Sequence, residues 1–178
     1  AMTPQARDFR SMITKIRALD PDAIFIASHY QPSAIFMQQL RQAGLDMPVA
    51  GADPLYNPEF VRLAGDAAEG LVTTTYFFPT DPRNEDFVEA YREKYDRAPD
   101  LWAAFAYDAI QITAAAAADV IESGEPLTRA ALCEAIDALP PFEGVTGVTE
   151  FVDGTPEKPM TLLTIRDGEY ALLEEPAN

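Results

Sequence analysis

"AIFIASHYQPSAIFMQQLRQAGLDMPVAGADP", residues 23–54, decides the fold. Residues 23–28 are a short continuous apolar run, the pattern of a strand covered on both faces. Residues 32–44 change to helical period and stop at Gly44, a natural helix terminator. "MPVAGA" then returns to a buried strand, and the chain surfaces at Asp53, one residue before a proline. An aspartate there either caps a turn or faces a cleft and holds a positive group on a ligand.

The same alternation extends both ways from this unit. Upstream, "RDFRSMITKIRALDPD" carries Phe9, Met12, Ile13, Ile16 and Leu19 at helical spacing and ends where Pro21 blocks further helix. Downstream, "PEFVRLAG" predicts a short helix closed by Gly65, and "AEGLVTTTYFF" (68–78) a third strand. Helix and strand in alternation favour a parallel sheet wrapped by helices, with ligands at the carboxyl ends of the strands. His29, Tyr30 and Asp53 each follow a strand directly. Gly51 is read as letting the chain turn sharply.

Residues 81–100 predict a helix with Phe87, Tyr91 and Tyr95 on one face. Residues 101–124, "LWAAFAYDAIQITAAAAADVIESG", predict a long helix apolar nearly all round, which implies burial on more than one side. Residues 128–139 form an amphipathic helix. Beyond it "VTEF", "TLLTIR" and "YALLE" read as strands, with Asp-Gly pairs at 153 and 167 as hairpin turns. About three parallel strands are few for so many apolar helical faces, and the Ala-rich helix lacks an evident sheet to lie on.

Composition bounds the function. The chain has 178 residues, enough for one domain or two small lobes, and its 48% hydrophobic content supplies a core. A formal charge of −16 disfavours nucleic acid and anionic membrane surfaces. One histidine leaves no His-rich metal site and no catalytic triad, so neither metal nor other cofactor is expected. The single cysteine, Cys133, lies beside apolar neighbours at helical spacing and is expected to be a packed, inert thiol. No signal peptide is recognised before the first helix, and no apolar run approaches the roughly 20 residues of a membrane span.

Several stretches, in order, resemble one family: "DFRSMITKIRALDPDAIF", "MQQLRQAGLDMPVAG", "LAGDAAEGLV", "AYDAIQITAAA", "FEGVTGVTEFVDGT" and "MTLLTIRDGEY". Together they are similar to the latter half of periplasmic substrate-binding proteins of branched-chain (leucine/isoleucine/valine) amino acid ABC transporters. The resemblance implies the type I periplasmic binding fold, two α/β lobes hinged by crossing strands. It implies that residues 3–96 are lobe two without its first strand. Residues 101–140 would be helices returning to an incomplete lobe one, and 141–178 crossover and closing strands. It further implies a periplasmic location, a permease partner for the intact protein, and no catalysis.

By the same resemblance a zwitterionic amino acid lies between the lobes. Its ammonium would fall to Asp53, and an aromatic-type contact to His29, with Tyr30 one residue away. Trp102, opening the returning helix, completes the implied ligand set; Tyr56, a helical entry away from Asp53, is read from its position alone as lining the cleft. The family's acid is often Glu and its aromatic often Tyr, so Asp53 and His29 are departures.

Each residue has a plainer reading. Asp53 caps a turn, His29 is a satisfied strand-end histidine, and Trp102 plugs a seam between lobes. Three alternatives stand beside the transport reading: a sensory domain for amides or aromatic acids, an acid–base enzyme using Asp53 and His29, and a self-associating unit. The last rests on the apolar face of residues 101–121, expected to pair with a second copy or dock a separately supplied first lobe.

Overall fold

A computed structural model describes residues 6–173. The expected segments reach beyond it, and their residues 3–5 and 174–178 lie outside the described residues. The chain divides into two compact units, one of Ala1–Thr75 with Leu162–Asn178, the other of Tyr76–Thr161.

In the first unit, helix α1 (Arg10–Leu19) leads to strand β1 (Ile24–Ile26), helix α2 (Tyr30–Gln42), strand β2 (Val49–Gly51), helix α3 (Pro58–Ala64) and strand β3 (Val72–Thr75). This is the alternation that the sequence predicts. β1 pairs with β2, and β2 with β3, both in parallel. A closing hairpin, strand β7 (Thr161–Arg166) and strand β8 (Glu169–Leu172), joins the sheet beside β3, giving the order β1-β2-β3-β7-β8. β7 and β8 are antiparallel across a two-residue turn in which Asp167 and Gly168 both have positive φ. That is the hairpin turn whose twist matches its strands. Helix α1 stops at Asp20, which takes the left-handed conformation before Pro21.

The core of this unit is where the apolar faces meet. Phe9 and Ile13 of the first segment, Phe36, Met37 and Leu40 of α2, Phe60 of α3, and Val49, Leu71 and Ile165 around the sheet are all buried. Phe9 and Phe36 meet edge to face with ring centroids 5.7 Å apart. One expectation fails in β1. Its apolar run does not mark burial on both faces, because Ile26 is buried while Phe25 is 67% exposed. β1 is the edge strand of the sheet, and side chains alternate across it, so only one face meets the core.

The second unit holds helix α4 (Glu85–Tyr95), helix α5 (Leu101–Glu122), helix α6 (Arg129–Ala138) and a three-stranded antiparallel sheet. Its strands are β4 (Phe142–Gly144), β5 (Gly147–Val152) and β6 (Thr155–Glu157). The β5–β6 hairpin turns through Asp153 and Gly154, again both at positive φ. Phe87, Tyr91 and Tyr95 stack along α4 as their spacing predicts, with successive centroids 5.9 and 4.5 Å apart.

Helix α5 departs from expectation. Its buried residues are Ala104, Asp108, Ile112, Ala116 and Val120, a single stripe four residues apart, while Trp102, Ile110 and Ile121 are exposed. By length and composition alone this 22-residue helix is apolar enough to cross a membrane, where the sequence reading finds no such run. The buried stripe contains a carboxylate tied to protein N–H groups, described below, which is what a helix packed against protein carries. Cys133 also departs, being exposed rather than packed. Helix α6 buries none of its residues, so apolar neighbours on the same helix do not cover the thiol.

Candidate functional site

The carboxyl ends of β1 and β2 leave the sheet side by side, since Ile26 is in register with Gly51. Three residues beyond Ile26, His29 caps the amino end of α2 in extended conformation and is exposed. Its carbonyl accepts both the backbone N–H of Ser33 at 3.3 Å and the Ser33 hydroxyl at 2.7 Å. This fixes the backbone and leaves the imidazole outside. Tyr30, the first residue of α2, is half-buried and packs on the core.

Two residues beyond Gly51, Asp53 opens a single turn of 3-10 helix, Asp53–Leu55. Its side chain is exposed and makes no hydrogen bond or ion pair among the described residues. The turn itself is held firmly. Ala52 N–H donates to Ile26 O at 3.1 Å, and Thr73 Oγ1 of β3 donates to Ala52 O at 3.0 Å. Leu55 N–H donates to Ala52 O at 3.0 Å, and Leu55 is fully buried.

Gly51 serves this burial rather than a sharp turn. Its φ is ordinary, but a Cβ there would lie 2.2 Å from Leu55 Cδ1. The bare glycine thus leaves the space into which Leu55 drops, and Leu55 sets where Asp53 emerges. Tyr56 turns back against Tyr170 of β8, edge to face at 5.0 Å, and burial pushes its hydroxyl up to about 12. His29, Tyr30, Asp53 and Tyr56 therefore belong to one unit and follow two adjacent strands. Trp102, on α5, belongs to the other unit, where it is 75% exposed and its ring lies 6.2 Å from that of Phe105.

A second built arrangement, in the 76–161 unit, was not singled out from sequence. Asp108 is buried on α5 and accepts the N–H groups of Val145 and Thr146, both at 2.9 Å, together with the Thr146 hydroxyl. Lys158 donates to that hydroxyl, and its ammonium lies 5.5 Å from the Phe105 ring centre. Burial pulls the Lys158 pKa down, against the raising effect of Asp108. A Cβ on Gly144 would sit 2.4 Å from an Asp108 carboxylate oxygen, so the β4–β5 turn needs glycine to approach the helix. The signal was present in the sequence: one aspartate occupies the buried stripe of an apolar helix, and a buried carboxylate must find donors. Its partners lie some 37 residues away in "GVTG", beyond the reach of helical periodicity. Among the described residues there is no group of three or more His, Cys, Asp or Glu able to hold a metal ion.

Asp53 and His29 thus leave neighbouring parallel strands at their carboxyl ends, the edge at which open α/β sheets in general bind ligands. The chain belongs to the periplasmic binding protein family, whose model, described as "Periplasmic binding protein", matches residues 1–169. Its fold is the type I periplasmic binding fold. A solved Rhodospirillum rubrum protein, provisionally assigned as a branched-chain amino acid ABC transporter, is 36% identical with a TM-score of 0.86, and the alignment covers 97% of this chain and 50% of that one. A leucine binding protein from Thermotoga maritima is 27% identical with a TM-score of 0.82, covering 97% and 49%. Among curated relatives, the leucine-, isoleucine-, valine-, threonine- and alanine-binding protein of Pseudomonas aeruginosa is 28% identical over 109 residues, covering 61% of this chain and 29% of that protein. The chain thus spans about half the length of the solved relatives and less than a third of this curated one.

Proposed function

We propose that this chain supplies the ammonium-binding part of an amino acid site in the solute-binding component of an ABC importer. One observation carries the reading: the Asp53 carboxylate, unengaged among the described residues, stands on a hydrogen-bonded turn at the end of β2, and His29 follows the adjacent strand β1. An ammonium is the ligand group such an acid suits. A charge-assisted hydrogen bond in a closed cleft contributes about 1.5–3 kcal/mol. His29, with Tyr30 beside it, contacts the ligand, and Tyr56 contributes aromatic surface. The relatives named for leucine, isoleucine and valine binding support a branched-chain ligand, and a Streptococcus pneumoniae relative, 28% identical, was solved in complex with isoleucine.

In this reading residues 3–96 form lobe two, 101–140 belong with lobe one, and 141–178 cross between them. The protein works in the periplasm, closes on its ligand without altering it, and presents the closed form to a permease. Much of the ligand's surroundings then comes from sequence outside this chain, so binding by the chain alone is weak. Titration calorimetry with L-leucine, L-isoleucine and L-valine, on wild type and Asp53→Asn, tests the reading. The substitution is expected to lower affinity roughly tenfold or more. Equal affinity for the two proteins would end it.

A further inference from the structure

The turn that carries Asp53 is anchored from the far end of the chain. Tyr170, on β8, is half-buried, and its ring packs on the first unit's core and on Tyr56. Its hydroxyl lies within reach of three backbone groups in the segment that follows Asp53. It donates to Leu55 O, shares its proton with Asn57 O at 3.1 Å, and accepts Asn57 N–H at 3.1 Å. These groups also bond within the backbone, Asn57 N–H donating to Leu55 O and Phe60 N–H to Asn57 O, both at 2.9 Å, so the phenol braces from outside a turn that is already closed.

Tyr170 is itself fixed in place. It pairs with Ile165 across the hairpin, and Glu69 accepts the N–H of Asp167 at 3.1 Å at the hairpin tip. Burial pushes the Tyr170 hydroxyl up to about 12, so it stays protonated and able to donate throughout the neutral range.

We propose that Tyr170 is a positioning residue for ligand binding, acting through the Asp53 turn rather than by touching ligand. Three anchors hold that turn: Leu55 dropped beneath Gly51, Thr73 on Ala52, and Tyr170 on Leu55 and Asn57. The first two lie in sequence near the turn's own strands. The third comes from 113–115 residues further on and, together with the buried Leu55, holds the carboxyl-terminal side of Asp53. This inference rests on the reading of Asp53 as the ligand's acid.

Amide hydrogen exchange, followed by NMR on the 178-residue chain, tests the hold directly. In Tyr170→Phe, which keeps the ring and removes the hydroxyl, the amides of Leu55, Tyr56 and Asn57 are expected to exchange roughly fivefold to tenfold faster. Met37 and Leu40, deep in α2, should keep their protection. Unchanged exchange at 55–57 would overturn the proposal, and so would protection lost equally at Met37 and Leu40, which makes Tyr170 a general core residue. NMR titration with L-leucine on wild type, Tyr170→Phe and Asp53→Asn separates the two levels. Weaker binding in both variants, with the smaller loss in Tyr170→Phe, supports positioning. A loss in Asp53→Asn alone overturns positioning and leaves the acid's role standing. No loss in Asp53→Asn removes the acid's role, and the ligand-positioning role of Tyr170 with it.

Discussion

Gly51 and Gly144 are the residues at which a single methyl group decides most. At Gly51 the added Cβ would meet Leu55 Cδ1 at 2.2 Å and Ile26 O at 3.4 Å. The leucine must leave its buried seat, and Gly51→Ala is expected to cost about 1–3 kcal/mol in urea denaturation. At Gly144 all three contacts are with the Asp108 carboxyl group, at 2.4, 2.5 and 2.6 Å. That group cannot move without abandoning the N–H groups of Val145 and Thr146. The complementary change, Asp108→Ala, leaves those two donors without an acceptor and is expected to destabilise the protein by ~2–4 kcal/mol in the same measurement. Asp108→Asn should cost less, since its amide oxygen still accepts one of the two bonds. An asparagine variant as damaging as alanine would show that charge, not acceptor geometry, is what the turn requires.

Among the elements, the closing hairpin ties the most distant parts of the chain together. Its strand β8 presents Tyr170 to the Asp53 turn, and Tyr170 and Tyr56 are both raised from an ordinary value of 10.0 to about 12, chiefly by burial. A tyrosine whose folded pKa lies above its unfolded one keeps its proton in the native state after the unfolded chain has lost it. The stability it contributes is complete below pH 10 and is lost as pH rises from about 10 towards 12. Urea midpoints measured across that interval are expected to fall steeply, and Tyr170→Phe should flatten part of the slope. A slope identical in both proteins would refute the assignment of alkaline sensitivity to this pair. Helix boundaries belong to the same scale. Residues 81–100 read as one helix, yet the chain forms a 3-10 turn at Pro82–Asn84 before α4, because Asp81 caps it by accepting Arg83 N–H at 3.0 Å. A side chain bonded to nearby backbone competes with helix, and periodicity does not register that competition.

For the whole molecule, the main consequence lies in the faces that the chain leaves uncovered. Helix α5 buries one stripe and exposes Trp102, Ile110 and Ile121, and the edge strand β1 exposes Phe25. Large exposed apolar side chains grouped on one helix favour association. Static light scattering over a hundredfold range of concentration is expected to show a mass that rises with concentration, and Trp102→Asp with Ile110→Asp should suppress the rise. A constant monomer mass for wild type would refute this. The same faces explain why a helix apolar nearly all round predicts burial on several sides and yet shows it on one. Composition reports what a helix requires, while burial depends on what else is present to cover it.

The sequence by itself determined the order of elements around the first sheet, both Asp-Gly hairpins, the aromatic row on α4 and the stop at Gly44. These follow from local periodicity and turn chemistry, and each is settled within a few residues. It also placed His29 and Asp53 after successive strands, which put them at one sheet edge once the strands proved parallel and in register. Only the tertiary structure decided that Gly51 makes room for Leu55, that Tyr170 grips the turn bearing the acid, and that Asp108 holds the "GVTG" turn. Each of those depends on a contact between residues distant in sequence or on the room that a missing Cβ leaves for a neighbour. Neither leaves a period or a composition to read.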